Sequence, residues 1–266
     1  MTTQKPGWVS CAQDLAMINQ SAKRLCMNPP LKKIKHTAGL LFSGGQDSAT
    51  CLAWALETFD RVETIGFEYG QRHDVEMTCR MDVRRSVQNE FPQWAEKLGE
   101  DHVINLAGLG QISETSLTRD VEIGFHANGL PTTFVPGRNL IFLNYAAALG
   151  WRRGFTHLVA GMCEADFSGY PDCRMETLEA QMKAISLGLG RPYSLHTPLM
   201  HLSKSGAWTL AKNLGGDRLV EIIRTKTHTC YKGVHDKLHD WGYGCGGCPA
   251  CELRANGWTE FSSRAA

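Results

Sequence analysis

Apolar residues along this chain fall in short blocks whose spacing alternates between the two regular periods. Thr37–Phe42 is a continuous apolar run that stops at Ser43-Gly44-Gly45, as a buried strand would. Ser48–Thr58 then places Cys51, Leu52, Ala55 and Leu56 on one helical stripe, with Ser48 near its start. The pattern continues with a strand at Arg61–Tyr69, helix over Asp74–Leu98 broken at Pro92, and a brief strand at His102–Leu106. Arg138–Trp151 predicts a buried helix, Phe155–Gly161 a strand, and Arg174–Leu187 a surface helix. Tyr193–Leu199 fits a strand or extended loop, and Ser203–Leu214 a helix capped by Ser203 and stopped at Gly215. Strands alternating with helices make βαβ units. The expected fold is α/β, a doubly wound, mostly parallel Rossmann-like sheet covered on both faces.

After residue 224 the texture changes to Cys, Gly, His and Lys, which predicts a small C-terminal subdomain held by something other than a core. The expected division is a leader at 1–36, an α/β nucleotide-binding domain at 37–224 and a metal-binding tail at 225–266. Charge supports treating the leader separately. Residues 1–36 carry six basic side chains against Asp14 alone, a net +5, and leave 22 basic and 26 acidic residues elsewhere, a net −4. Such a leader could touch nucleic acid or a membrane surface, but it lacks a clear period and ends in Pro29-Pro30. It is better read as an extension outside the fold, or as a start placed too early with Met27 as the first residue. An acidic remainder argues against a large RNA-binding face.

Composition narrows the class. A chain of 266 residues, 42% hydrophobic and with net charge +1, is expected to be soluble and globular, not disordered or collagen-like. Its most apolar stretch, Leu140 to Leu149, is too short to cross a bilayer, which takes about 20 residues. No signal-peptide core is present at the N-terminus, so a cytoplasmic protein is expected and its ten cysteines read as metal ligands and core thiols.

Two constellations carry chemistry. Ser43-Gly44-Gly45-Gln46-Asp47-Ser48 sits where a strand ends and a helix begins. Glycines let the backbone approach an anion, and the free N–H groups, helix dipole and two hydroxyls favour phosphate oxygens. Asp47 repels phosphate, so its expected use is to hold Mg²⁺ that bridges it to ATP. No Gly-Lys dipeptide occurs, which excludes a Walker A loop. The bland alternative is an ordinary glycine turn capped by Ser48. In the second constellation, Cys245, Cys248 and Cys251 lie within seven residues, and Cys230 lies upstream with fourteen residues between. Four thiolates saturate tetrahedral Zn²⁺ and indicate a structural site. An iron–sulfur cluster would want a fourth cysteine where Ala255 stands, and unrelated reduced thiols are the remaining alternative.

The hexapeptide matches Ser-Gly-Gly-x-Asp-Ser, the pyrophosphate-binding loop of the ATP pyrophosphatase (PP-loop) superfamily. With the cysteine cluster and the blocks Tyr69–His73, Val135–Asn139, Glu164–Arg174, Thr197–Leu199 and Lys226–Tyr231, the chain from Leu40 to Trp258 resembles the 7-cyano-7-deazaguanine synthases of queuosine biosynthesis. The resemblance implies an adenine nucleotide alpha hydrolase type of fold and an ATP-dependent ligase. Its substrates would be 7-carboxy-7-deazaguanine and ammonia, with homodimers common and no direct contact with nucleic acid or membrane.

It also implies ATP contacts from Phe42, Ser43, Gly44, Gly45, Gln46, Asp47, Ser48, Ala49, Thr50, Cys51 and Leu52, with Asp47, Ser48 and Arg138 in catalysis. Structural zinc would be held by Cys230, Cys245, Cys248 and Cys251. Candidate cations for the anionic reaction are Arg72, Arg138 and Lys204, each of which could instead be a surface charge. His73 could shuttle protons or be structural. A guanine-like ring presents two adjacent donors that one carboxylate can accept. Glu164, Asp166 and Asp172, interleaved with Phe167 and Tyr170, are therefore expected to read it, unless those carboxylates merely cap neighbouring backbone, and Tyr69, Arg72 and His73 complete the expected substrate-binding set. The stretch between Cys230 and Cys245 is longer than in many relatives and contains His235 and His239, which could compete as metal ligands or form a solvated insert. The rival functions are a PP-loop tRNA-thiolating enzyme and a non-catalytic zinc-ribbon interaction module.

Overall fold

The computed structural model describes residues 34–73, 75–164 and 169–265. Most of the basic leader lies outside the described residues, as do Asp166 and Phe167 of the expected substrate loop. Five parallel strands form one sheet in the order β3-β2-β1-β4-β5, with β1 Ile34–Leu41, β2 Phe59–Glu68, β3 Leu98–Asn105, β4 His157–Val159 and β5 Ser194–His196. The register is set by alternation across β1. Ala38 and Leu40 face one apolar cluster, Leu41 the other. A one-residue slip would turn that set inside out.

On the first face lie α1 Gln46–Thr58, α2 Val75–Glu90, the short α3 Pro92–Ala95 and α7 Lys204–Lys226. On the other lie the short α4 Ala107–Gln111, α5 Arg138–Arg153 and α6 Met175–Gly188. Helices on both faces bury a parallel sheet completely, which is the doubly wound arrangement expected from the alternation. Strand order reverses between β1 and β4, so the carboxyl ends of these two strands border the crevice where such folds take ligands.

Several boundaries differ from the sequence pattern, for local reasons. β1 starts at Ile34, three residues into the expected leader. Helix α1 starts at Gln46 with Gly45 at its N-cap, so Ser48 lies inside the first turn and is not the cap. Strand β3 begins at Leu98, because its charged residues find partners: Asp101 pairs with Arg80 of the helix Val75–Glu90 and His102 with Glu63 of β2. Helix α7 bends at Gly216 (φ 65°) and resumes to Lys226, since Leu219, Val220, Ile222 and Ile223 supply a further buried stripe. The left-handed residue is therefore the second glycine of the pair, not Gly215.

The tail contains a 17-residue helix, α8 Pro249–Ala265, that the composition concealed. Its Trp258 and Phe261 pack on Trp208 of α7 at ring-centroid distances of 5.0 and 6.2 Å. A small hairpin, β6 Leu238–His239 with β7 Gly242–Tyr243, precedes it. Among the described residues no helix is long and apolar enough to cross a membrane.

Candidate active site

The turn at residues 43–48 is built from its own hydroxyls and one left-handed glycine. Gly44 has φ 88°, and a side chain there would collide with the backbone of Glu76 and Arg80 on α2. Ser43 Oγ accepts from the Gly45 N–H at 3.2 Å, and Ser48 Oγ accepts from the Gly44 N–H at 3.2 Å while donating to the Gly45 carbonyl at 3.1 Å. The start of α1 thus faces the crevice as an anion-binding concavity. Arg80, fully buried, steadies it from below: its Nε donates to the Phe42 carbonyl at 2.6 Å and its Nη2 meets Asp101 at 2.5 Å. The side chain of Arg84 continues this network to Thr64 and the Gly99 carbonyl.

A cavity of about 350 Å³ opens over this turn, near the lower end of the ~300–1,000 Å³ usual for small-molecule sites. Of the residues expected to meet ATP, Phe42, Ser43, Gly45, Gln46, Asp47 and Ser48 line it, while Gly44 shapes the turn behind them. Ala49, Thr50, Cys51 and Leu52 do not. They are buried within the protein, where the Thr50 hydroxyl donates to the Gln46 carbonyl and burial pushes the Cys51 thiol well up. They pack within the fold and support the helix. Asp47 Oδ2 pairs with Lys204 Nζ at 2.6 Å, while its Oδ1 is buried without a hydrogen-bond partner. Both amide atoms of Gln46 are likewise buried and unpartnered. Buried polar atoms of this kind are costly unless a ligand or ion completes them. Asp47 Oδ1 therefore fits a hard cation such as Mg²⁺.

The remaining wall brings Tyr69, Arg72, His73, Arg138 and Tyr170 together. Arg138 lies over the Tyr69 ring at 5.6 Å, and Tyr170 shares a hydrogen bond with Thr133 at 2.5 Å. Phe67 and Phe142 stack at 4.0 Å and give the cavity a flat aromatic flank. Arg72 also pairs with exposed Asp120 at 2.8 Å.

The two described carboxylates of the expected substrate loop go elsewhere. Glu164 accepts from the Met175 N–H at the start of α6 (2.5 Å), and buried Asp172 accepts from the Asn139 N–H at the start of α5 (3.0 Å). Both serve as helix-end acceptors. The cavity wall also carries Glu76, which the pattern of residues did not single out. It lies on the first turn of α2, three residues beyond the Tyr69–His73 block, and burial pushes its carboxyl up to about 7 against the pull of Arg138.

The four cysteines converge. Their sulfurs all lie within 4.8 Å of one another, with Cys245–Cys251 at 3.9 Å and Cys230–Cys248 at 4.0 Å. Sulfurs bound at ~2.3 Å on a tetrahedral zinc would stand about 3.8 Å apart, so the set fits a closed metal site. A side chain at Gly244 would meet the Cys251 sulfur at 2.6 Å, which is why the knuckle needs glycine there. The two insert histidines are engaged otherwise and half-buried: His239 bonds the Gly244 carbonyl at 3.0 Å and stacks on Trp241, and His235 lies on Tyr243. Arg254 of α8, wholly buried, donates to the Trp241 and Ile223 carbonyls at 2.9 Å and to Thr229 at 2.8 Å. The tail reaches the cavity directly, because Cys230, Tyr231, Ala250 and Leu253 line it and the His228 N–H donates to the Gly44 carbonyl at 3.1 Å.

The model of the family described as "Queuosine biosynthesis protein QueC" matches residues 37–262. The chain belongs to the QueC family. Curated relatives agree along nearly their whole length. One is 7-cyano-7-deazaguanine synthase 2 of Sphingopyxis alaskensis, 62% identical over 84% of this chain and 95% of its own. Another is 7-cyano-7-deazaguanine synthase of a Bradyrhizobium species, 60% identical over 85% of this chain and 94% of its own. Among solved structures, a 4-thiouridine synthetase in complex with RNA and ATP is similar at 17% identity and a TM-score of 0.48, covering 86% of this chain and 54% of that one. QueC membership removes the tRNA-thiolating and interaction-module readings.

Proposed function

We propose that this QueC protein is an ATP-dependent ligase that converts 7-carboxy-7-deazaguanine and ammonia to 7-cyano-7-deazaguanine. The observation that carries the proposal is the serine–glycine turn at the sheet's switch point, opening onto a cavity of about 350 Å³, in a chain 62% identical to a relative of that name. The substrate carboxylate attacks the α-phosphate of ATP, and pyrophosphate departs from an acyl-adenylate. Ammonia displaces AMP to give the amide. A second ATP activates the amide oxygen, and loss of AMP leaves the nitrile.

The difficulty is one anion attacking another, and the chain's answer is positioning and charge. The backbone N–H groups of the turn and the hydroxyls of Ser43 and Ser48 receive the departing pyrophosphate. Lys204 and Arg138 bring positive charge to the cavity wall, and Phe67, Phe142 and Tyr69 offer flat faces to a planar ring. Asp47 would hold Mg²⁺, which supplies further charge neutralisation when bound. Cys230, Cys245, Cys248 and Cys251 would hold zinc in a closed sulfur cage, a structural role. The reaction takes place on free small molecules, in the cytoplasm and without direct nucleic-acid contact, in keeping with the acidic balance of the residues after the leader.

Incubating the purified protein with 7-carboxy-7-deazaguanine, ammonium, Mg²⁺ and ATP tests this. Mass spectrometry is expected to find the nitrile, with AMP and pyrophosphate as co-products. ADP in place of AMP, or no nitrile, would refute it.

A further inference from the structure

We infer that Glu76 reads the guanine-like edge of the substrate, its two carboxylate oxygens accepting the ring N–H and the exocyclic amine. This rests on the function proposed above and names the residue that makes it specific. Neither Glu164 nor Asp172 lines the cavity, and each gives one carboxylate oxygen to the backbone N–H at the start of a helix. Glu76 lines the cavity, and among the described residues no hydrogen bond or ion pair engages its carboxylate.

Its surroundings match a planar, polar ring. Tyr69, Phe142 and Phe67 form the aromatic flank, and Arg138 stands across the same space as its nearest opposite charge. The helical turn that carries Glu76 is packed directly on Gly44, so a ring held there lies beside the phosphate-binding turn, where its carboxylate must meet ATP. The half-buried carboxylate is disfavoured in the free protein: desolvation pushes it up to about 7. Two N–H donors from the ligand would supply what the fold withholds, in the forked geometry that a guanidinium otherwise provides. A site built to bond a substrate amine rejects analogues that lack it, because its own polar atoms are then left unpaired.

The test compares 7-carboxy-7-deazaguanine with its analogue lacking the 2-amino group, using the full-length protein. Wild type is expected to prefer the natural substrate in kcat/KM by ~10²-fold or more. Glu76→Gln should raise KM for the natural substrate by about 10–100-fold, the loss of a charged hydrogen bond, and reduce the preference to a few-fold. KM for ATP should stay within about twofold of wild type, and Glu76→Asp should recover part of the preference. Three results would overturn the inference: a wild type that accepts both compounds equally, a Glu76→Gln variant that keeps the preference, or a variant whose defect lies in ATP or Mg²⁺ affinity. The wild-type comparison decides even if Glu76→Gln fails to fold. A wild type that makes no nitrile at all refutes the proposed function, whereas one that makes it without discriminating refutes only the role of Glu76.

Discussion

The turn at Ser43–Ser48 and the knuckle around Cys230 and Cys245–Cys251 both wrap the backbone tightly, yet they are anchored in different ways. The turn is held by the sheet. Its strand and helix are buried by large apolar side chains, its hydroxyls bond only to neighbours within five residues, and Arg80 clamps the preceding carbonyl. The knuckle rests on a much smaller cluster containing Trp241, Ala250 and the cysteines themselves, braced by one buried arginine. A region with an apolar core keeps its shape whatever it binds. A region whose innermost groups are sulfurs depends on what the sulfurs hold.

That contrast can be broken most forcefully at the metal. Replacing Cys251 with Ser, or stripping the metal with a chelator, is expected to lower Tm by more than ~10 °C, since structural zinc contributes folding free energy outright. Metal analysis of the untreated protein should find one zinc per chain; a visible-absorbing iron–sulfur chromophore would break the reading. The opposite outcome is expected at the turn. Asp47→Ala should reduce kcat/KM by ~10²–10³-fold with Tm nearly unchanged, read by steady-state kinetics and calorimetric melting.

Arg254→Met probes the link between the regions. Four acceptors would lose their donor, costing about 1–3 kcal/mol each at most, with a visible fall in Tm and a few-fold rise in KM for ATP. The smallest effect belongs to a site remote from both. Burial pushes the Glu63 carboxyl up, but hydrogen bonds from Arg153 and His102 outweigh it and hold it below its ordinary range. The stability this gives is present above the unfolded value of 4.5 and is lost as the pH falls through the folded value. Glu63→Gln should therefore flatten acid destabilisation, seen in melts at decreasing pH, and leave both substrate KM values alone.

The parts legible in the sequence share one property: their determinants are contiguous. The strand–turn–helix at residues 37–58, the four cysteines and the Ser203 cap are each specified by residues close together in the chain. What escaped detection depends on distant partners. Helix α8 has Asn256 and Gly257 in its middle and a weak apolar stripe, and it is secured by Trp208, fifty residues upstream of Trp258. Arg80 and Arg254 look like surface charges until their buried carbonyl partners are known. Glu164 and Asp172 are acidic, close together and beside aromatic residues, yet helix starts brought near by the fold claim them. Glu76 left only a faint trace, its place one turn beyond the Tyr69–His73 block.

The His228 N–H that meets the Gly44 carbonyl lies two residues ahead of Cys230, the first of the four converging cysteines. If the cysteines hold an ion and the turn a pyrophosphate, as proposed, the two are wired in series: a chain starved of that ion would slacken at the Gly44 carbonyl and fall silent before it came apart.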